Sequence, residues 1–463
     1  MSKKLLALLL IVPMLICCKG NANNDGPEKE PDPLEGEAYA KAAPMIKSGG
    51  TYLVTNENVE KFVTEVNYPD KDWSFTKIFD YYGGFDGKNF NWEHVPNSDK
   101  PNFYSIRWIA DIDAGAMVLH LADKTGWSAD TDIKAGACYV DIKNMLPNEE
   151  YTYKVTASNG TVMAEGNFFT TGHVHQVFFK NNCRNARDLG GWQTTDGKRI
   201  KYRKVYRGGR MNDPWEILLS KTGKKEVLDE GIGAELELRG SDDYMTEPAV
   251  ESLDHCHPCI EEGGKVMLGV TKPSAKNCAK WLVFDAASPW TAEQKAPYLK
   301  SDGRIDKDKI AEITPTNDEY TAFQTAYKAK TKECFEFVLN SVKAGKGVYF
   351  HCSLGRDRTG TMQILIMGIL GVREGDIGKE YELTYFAPVG YSVSSSDRST
   401  NPEPIFKNDR THWVYSDVVP YFWNLSQDGT FYDGVRRYLL DTGVTQAQID
   451  EFRNLMLEDV PAN

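Results

Sequence analysis

KGVYFHCSLGRDRTGTMQILIMGIL, residues 346–370, is the stretch that decides the fold of the longer part of this 463-residue chain. The run Gly347 to Phe350 has the length and composition of a buried strand and stops at His351-Cys352. A short polar loop follows, and from Thr359 to Leu370 the apolar residues recur as in a helix. Strand, loop and helix in immediate succession make one unit of an α/β domain, whose sheet is buried between helices. Such a strand delivers Cys352 to the carboxyl edge of the sheet, where ligand sites of α/β folds form. The helix points the unpaired amides of its first turn back at the sulfur. Arg358 stands six positions after Cys352, a spacing that lets the loop close into a ring with the sulfur at its base and the guanidinium on its rim. The backbone of Ser353, Leu354, Gly355, Arg356, Asp357 and Arg358, closed off by Thr359 and Gly360, then forms a cradle for a phosphate that Arg358 grips through two oxygens.

The features that hold an anion also favour thiolate over thiol at Cys352. The sulfur is thus the expected nucleophile on phosphorus, giving a cysteinyl-phosphate, with the Thr359 hydroxyl placed to hydrogen-bond the sulfur as that bond breaks. His351 is expected to orient the loop rather than act as a base. A leaving alkoxide or phenolate needs a proton donor. Asp357 is the nearest carboxyl in sequence, and Asp285, at the end of the apolar run in WLVFDAASPW, is a second candidate. A buried core thiol in a strand-to-helix turn is the bland alternative, and it explains neither the arginine nor the polar loop.

His351-Cys352 through Arg358-Thr359-Gly360 resembles the C-x5-R-[ST] loop of cysteine-dependent protein tyrosine phosphatases. Gly355-Arg356-Asp357-Arg358 is similar to the bacterial branch with a G-K-D-R loop, Arg356 replacing the usual lysine. The segments Asn185-Ala186-Arg187-Asp188-Leu189-Gly190-Gly191, Asp196-Gly197-Lys198 and Val205-Tyr206-Arg207-Gly208-Gly209-Arg210 are similar to that family's opening N-x-R-D-L-G-G … D-G … Y-R segment. Glu237-Leu238-Arg239 resembles its D-L-R strand end, and Tyr438-Leu439 to Gly443 with Ile449 to Leu455 its terminal helix pair. The resemblance implies a phosphatase fold over residues 177–460, supporting roles for Arg187, Asp188 and His351, Asp357 as the first choice of general acid, and no cofactor. The implied substrates are protein phosphotyrosine, phosphoserine, phosphothreonine or phosphoinositide. Two alternatives stand beside it: an inositol polyphosphate phosphatase with a similar loop, and a catalytically silent surface binding protein. Residues 244–280 and 391–415 exceed the compact family pattern and are expected to border the pocket. The insertion motif DHCHPC, 254–259, crowds its two His and two Cys too closely for the usual zinc spacing, and reads as a plain loop or a local disulfide.

Before this domain the pattern differs. FYSIRWIA (103–110), AMVLHLA (116–122) and YTYKVTA (151–157) are rich in aromatic and β-branched residues and several alternate apolar with polar. Asn159-Gly160 supplies a hairpin turn. Leu146-Pro147 followed by Tyr151 resembles the tyrosine corner of immunoglobulin and fibronectin type III domains. Residues 46–173 are therefore expected to form an all-β sandwich, with a placement or binding role toward a partner that the pattern does not name.

The chain opens MSKKLLALLLIVPMLICCKG, two lysines ahead of an apolar segment too short to span a bilayer but suited to a signal peptide. It resembles a bacterial lipoprotein signal over 1–17, with Cys18 favoured over Cys17 as the lipidated residue. Residues 18–45, polar and rich in Pro and acids, read as a tether. The expectation is an exported, membrane-anchored lipoprotein on the periplasmic or cell-surface side. A hydrophobic fraction of 41% supports globular cores, and a formal net charge of −12 argues against nucleic acid as partner. Seven cysteines beyond the signal are too few for a disulfide scaffold.

Overall fold

The computed structural model describes residues 42–65, 99–180, 184–211, 219, 221–238, 274–285, 287–301, 303, 305–352, 354–387 and 417–460. Cys17, Cys18, Cys183, Arg239, the DHCHPC motif, Ser353 and the 391–415 insertion lie outside the described residues. The chain divides into two compact units, one comprising residues up to 55 with 101–173, the other 56–100 with 174–463.

The first unit holds strands β1 (Thr51–Leu53), β2 (Tyr104–Arg107), β3 (Met117–Asp123), β4 (Ser128–Ile133), β5 (Tyr139–Ile142), β6 (Glu150–Ala157) and β7 (Val162–Thr171). Five of them form a sheet in the order β1-β7-β6-β3-β4, and β2 pairs with β5. On β6 the alternation expected from sequence is met: Tyr151, Tyr153, Val155 and Ala157 are buried, while Thr152 and Lys154 are exposed. Ile106 and Ile142, one from each strand of the smaller sheet, share a core with Met117, Leu119, Val155 and Phe168 of the larger. The β6–β7 hairpin turns at Gly160, whose amide donates to the Ala157 carbonyl at 2.8 Å. The Tyr151 hydroxyl, wholly buried, accepts from the Leu146 amide at 2.8 Å.

Two boundaries differ from the sequence reading. Residues 43–45, expected in the tether, run with Ile46 alongside β2: Ser105 exchanges bonds with the Pro44 carbonyl and the Ile46 amide, each 2.8 Å long. Nor is 46–173 an unbroken β domain. Helix α1 (Glu57–Glu65) and Asp99 belong to the second unit, where the Phe62 and Phe386 rings meet edge to face at 5.4 Å and the Lys379 ammonium donates to the Val63 carbonyl at 2.5 Å.

The second unit contains β8 (Arg187–Asp188), β9 (Lys198–Ile200), β10 (Val205–Gly208), α2 (Lys221–Asp229), β11 (Ile232–Glu237), α3 (Ala275–Phe284), α4 (Asn317–Lys343), β12 (Gly347–His351), α5 (Asp357–Leu370), α6 (Glu374–Glu382), α7 (Val419–Leu425), α8 (Phe431–Asp441), α9 (Gln446–Met456) and β13 (Leu457–Asp459). Its main sheet has the order β11-β12-β10-β8, with β11 and β10 parallel to β12 and β8 antiparallel to β10. All of β12 and β10 is buried, which explains runs of apolar residues without alternation. Helix α4 lies against β11 and β12, and α5 against β10 and β12. From Thr359 to Leu370 every residue of α5 is buried, the mark of a helix at the centre of a domain.

Helix α4 starts at a capping box in which the Thr316 hydroxyl accepts from the Glu319 amide and Glu319 bonds back to the Thr316 amide. The three-to-four spacing of Tyr320, Phe323, Tyr327, Cys334, Phe337 and Val338 in the sequence predicts that these form its core face; Phe323, Tyr327, Cys334 and Val338 do, but Tyr320 and Phe337 are only half-buried and Phe335 takes the fully buried place. Positions 335 and 337 are separated by about 200° around a helix, so only one of them can face the core. The apolar run before Asp285 is the last turn of α3, and Asp285 is its C-cap residue.

Candidate active site

The parallel strands end level with one another: Gly208 of β10 and Glu237 of β11 both pair with His351 of β12. Cys352 therefore leaves the sheet at its carboxyl edge, 4% exposed, and among the described residues neither it nor Cys138, Cys278 or Cys334 forms a disulfide. Helix α5 begins at Asp357, two residues before the start expected from sequence, with Arg356 as its N-cap residue. The loop is thus shorter and its last members already lie in the first helical turn. Leu354, Arg356, Asp357 and Arg358 are half-buried, while Gly355, Thr359 and Gly360 are buried.

Two glycines are dictated by this geometry. Gly355 has φ +69°, and a Cβ there would lie 2.4 Å from the Gly208 carbonyl, so the loop folds down onto the end of β10 only because no side chain intervenes. A Cβ on Gly360 would lie 2.2 Å from the Tyr381 ring, which lets α6 pack flush against the first turn of α5.

His351 is held within the sheet. Its Nε2 lies 2.6 Å from Glu235 Oε1, its Nδ1 3.8 Å from Glu237 Oε1, and the same Nδ1 3.3 Å from the Cys352 carbonyl oxygen. All three side chains are buried, an arrangement that orients the loop's first residue.

Under the loop lies a buried ionic network that sequence reasoning did not assemble. Arg187 donates to Glu380 through Nε at 2.5 Å and to the Glu380 carbonyl through Nη2 at 2.7 Å. Arg207, wholly buried, donates to Glu380 Oε1 at 3.2 Å and to the Gly355 carbonyl. Burial pulls the Arg207 guanidinium down to about 10, the neighbouring Arg187 adds to the fall, and Glu380 opposes it; it remains a cation at neutral pH. Asn185, at φ +55°, reaches the Gly355 carbonyl at 2.9 Å, the Leu354 carbonyl at 3.3 Å and Thr384 Oγ1 at 3.1 Å. Its own amide donates to Asp99 at 2.8 Å. Asn185 and Arg207 stood in motif segments visible in the sequence, whereas Glu380 and Thr384 carried no local signal.

Arg187 is therefore under the loop, but Asp188 is not. Neighbouring strand residues face opposite ways, and Asp188 turns to accept from the Arg203 amide at 2.6 Å and the Gly190 amide at 2.8 Å, beside His175 at 3.2 Å. Its support is of the β8–β10 corner. Asp285 accepts from the Ala287 amide at 2.8 Å and lies 3.9 Å from Lys330 Nζ. Asp357 is in the first turn of α5. Burial drives the Tyr381 hydroxyl well above its ordinary value, and the Asp357 and Glu382 charges push it further the same way. The Thr359 hydroxyl oxygen is buried with no hydrogen-bond partner among the described residues. No cluster able to hold a metal ion is formed by the described residues, and no described helix is long and apolar enough to cross a membrane.

Residues 180–458 match the family model described as tyrosine phosphatase family. A protein of Cupriavidus necator strain H16 that carries a provisional tyrosine-protein phosphatase name is 23% identical over 211 residues, 45% of this chain. The match spans 62% of that relative's length.

Proposed function

This chain belongs to the tyrosine phosphatase family, and on that premise we propose that it hydrolyses phosphate monoesters, chiefly phosphotyrosine in proteins, through a cysteinyl-phosphate on Cys352. The observation that carries this reading is the placement of Cys352 at the carboxyl edge of β12, before a short loop that leads into α5 and whose Gly355 carbonyl accepts from Asn185. Cys352 Sγ attacks phosphorus while the bond to the leaving oxygen breaks, and that oxygen takes a proton from Asp357. Water then attacks the phosphorus, Asp357 takes back a proton, and the sulfur leaves as thiolate, releasing inorganic phosphate. Little covalent work falls to the protein beyond positioning and charge stabilisation, and Arg358 with the loop amides supplies the latter. The Thr359 hydroxyl, buried and without a described partner, is available to the departing thiolate. Asp357 is preferred to Asp285 as the acid because the Asp285 carboxylate already accepts from the Ala287 amide and faces Lys330.

The test is p-nitrophenyl phosphate turnover by the purified chain. Cys352→Ser should abolish it with the fold intact, and Asp357→Asn should slow it most for esters with poor leaving groups. Undiminished turnover in the serine variant would sink the mechanism, and a selective effect of Asp285→Asn instead would reassign the acid.

The first unit is read as an immunoglobulin or fibronectin III-like module that places the enzyme or binds a partner; its support is the shared core of two sheets and the bond from the Leu146 amide to the Tyr151 hydroxyl. The N-terminal signal and Cys18 are read as a lipoprotein export and anchoring device, supported by the sequence pattern of residues 1–18. Metabolic labelling with a radioactive fatty acid should mark the full chain and not Cys18→Ala; equal labelling of both moves the anchor to Cys17 or elsewhere.

A further inference from the structure

The cradle's amides need an aim, and the network beneath the loop contains one. In a planar trans peptide the carbonyl of one residue and the amide N–H of the next point in opposite directions. The Leu354 and Gly355 carbonyls are both drawn down toward Asn185 Nδ2, and the Gly355 carbonyl also toward Arg207. The N–H groups of Gly355 and Arg356 consequently point the other way, toward the interior of the loop. Among the described residues no hydrogen bond is made by either amide.

The orientation of the Asn185 side chain is itself determined. Arg187 has only donors and reaches Asn185 Oδ1 through Nη1, so the oxygen must face Arg187 and the amide nitrogen must face the loop carbonyls. Glu380 in turn holds both guanidinium groups in place. A left-handed conformation at Asn185 brings the side chain under the loop, and asparagine is among the few residues that adopt it readily.

We infer that Asn185 and Arg207, braced by Glu380, are positioning residues that fix the inward aim of the Gly355 and Arg356 amides, the donors on which the transferring phosphoryl group's charge rests. They act through the loop backbone. The inference rests on the proposed phosphatase reading for its substrate, but its core is an anion-binding geometry that can be read separately.

The experiment uses the full chain and measures kcat and KM for p-nitrophenyl phosphate, inhibition or binding by orthovanadate, and the thermal midpoint. Asn185→Asp keeps the acceptor for Arg187 and replaces the donor to the loop with a carboxylate oxygen. It should lower kcat by about tenfold to several hundredfold, the range for losing an oriented oxyanion donor. Orthovanadate affinity should fall by at least about tenfold, and KM should change far less, because the amides serve the transition state more than the ground state. Should that variant fail to fold, Arg207→Lys keeps the charge facing Glu380 but shortens the donor, and the same split should appear. A folded variant of either kind with kcat and orthovanadate affinity within about twofold of wild type overturns the inference. A wild-type chain that binds orthovanadate without turning over the ester, and loses that binding in Asn185→Asp, upholds the positioning role while overturning the enzymatic reading. A wild-type chain that does neither overturns both.

Discussion

At Thr359 the interests of stability and of chemistry diverge. A hydroxyl buried without a described partner is a destabilising feature, since replacing such a group by an apolar one of the same shape is neutral or favourable. Thr359→Val should therefore leave the protein as stable as wild type or more stable by about 1 kcal/mol, seen as an unchanged or raised unfolding midpoint. It should at the same time slow breakdown of the cysteinyl-phosphate, seen as a burst of p-nitrophenolate followed by a slower steady rate. A loss of stability with no change in the burst would show that the hydroxyl serves packing alone. Cys352, Arg358 and Thr359 could be singled out from sequence because their chemistry depends on spacing within one loop. The role of Glu380 could not: it stands 28 positions from Cys352 on another helix and acquires meaning only beside Arg187 and Arg207.

At the scale of elements, the hairpin of β6 and β7 was readable because alternation and a turn residue are local signals. The bond from the Leu146 amide to the Tyr151 hydroxyl ties that hairpin to the preceding loop inside the core. Tyr151→Phe removes the acceptor and leaves a buried N–H, which should cost about 1–3 kcal/mol in chemical denaturation of the first unit and leave ester turnover unchanged. A cost near zero would mean that the amide finds water or another acceptor. Helix α4 was also legible, yet its inward face was misjudged by one position pair, Phe337 for Phe335. Periodicity identifies a helix, but several aromatics around its circumference leave the orientation to whichever neighbours pack against it, here Phe452, whose ring meets Phe335 at 5.1 Å.

For the molecule as a whole, the domain division is the largest departure from the linear reading. Residues 56–65 and 99–100 precede most of the first unit in sequence but fold with the second. The contacts are specific: Phe62 on Phe386, the Val63 carbonyl with Lys379, and Asp99 accepting from the amide of Asn185. Burial pulls the Lys379 ammonium down to about 8 and holds Asp99 above its usual carboxylate range, so both groups are desolvated in these contacts. A chain cut to begin at residue 174 loses all three. It should unfold at a lower temperature than the longer chain and, because Asn185 loses its anchor, turn over p-nitrophenyl phosphate more slowly per folded molecule. Equal turnover and equal midpoint would show that the second unit is complete without residues 56–100.

By itself the sequence determined the local pieces: the strand, the Cys352 loop, the central helix, and the β hairpin with its tyrosine. Each follows from dihedral preference, periodicity or chemistry confined to a few neighbouring residues. Tertiary structure alone decided which face of α4 is core, that 56–65 and 99–100 join the second unit, that Asp188 turns away from the loop, and that two arginines, an asparagine and a glutamate converge beneath it. Those outcomes depend on contacts between residues up to 324 positions apart, as from Phe62 to Phe386, where burial and charge pairing select the partner and no local pattern records it.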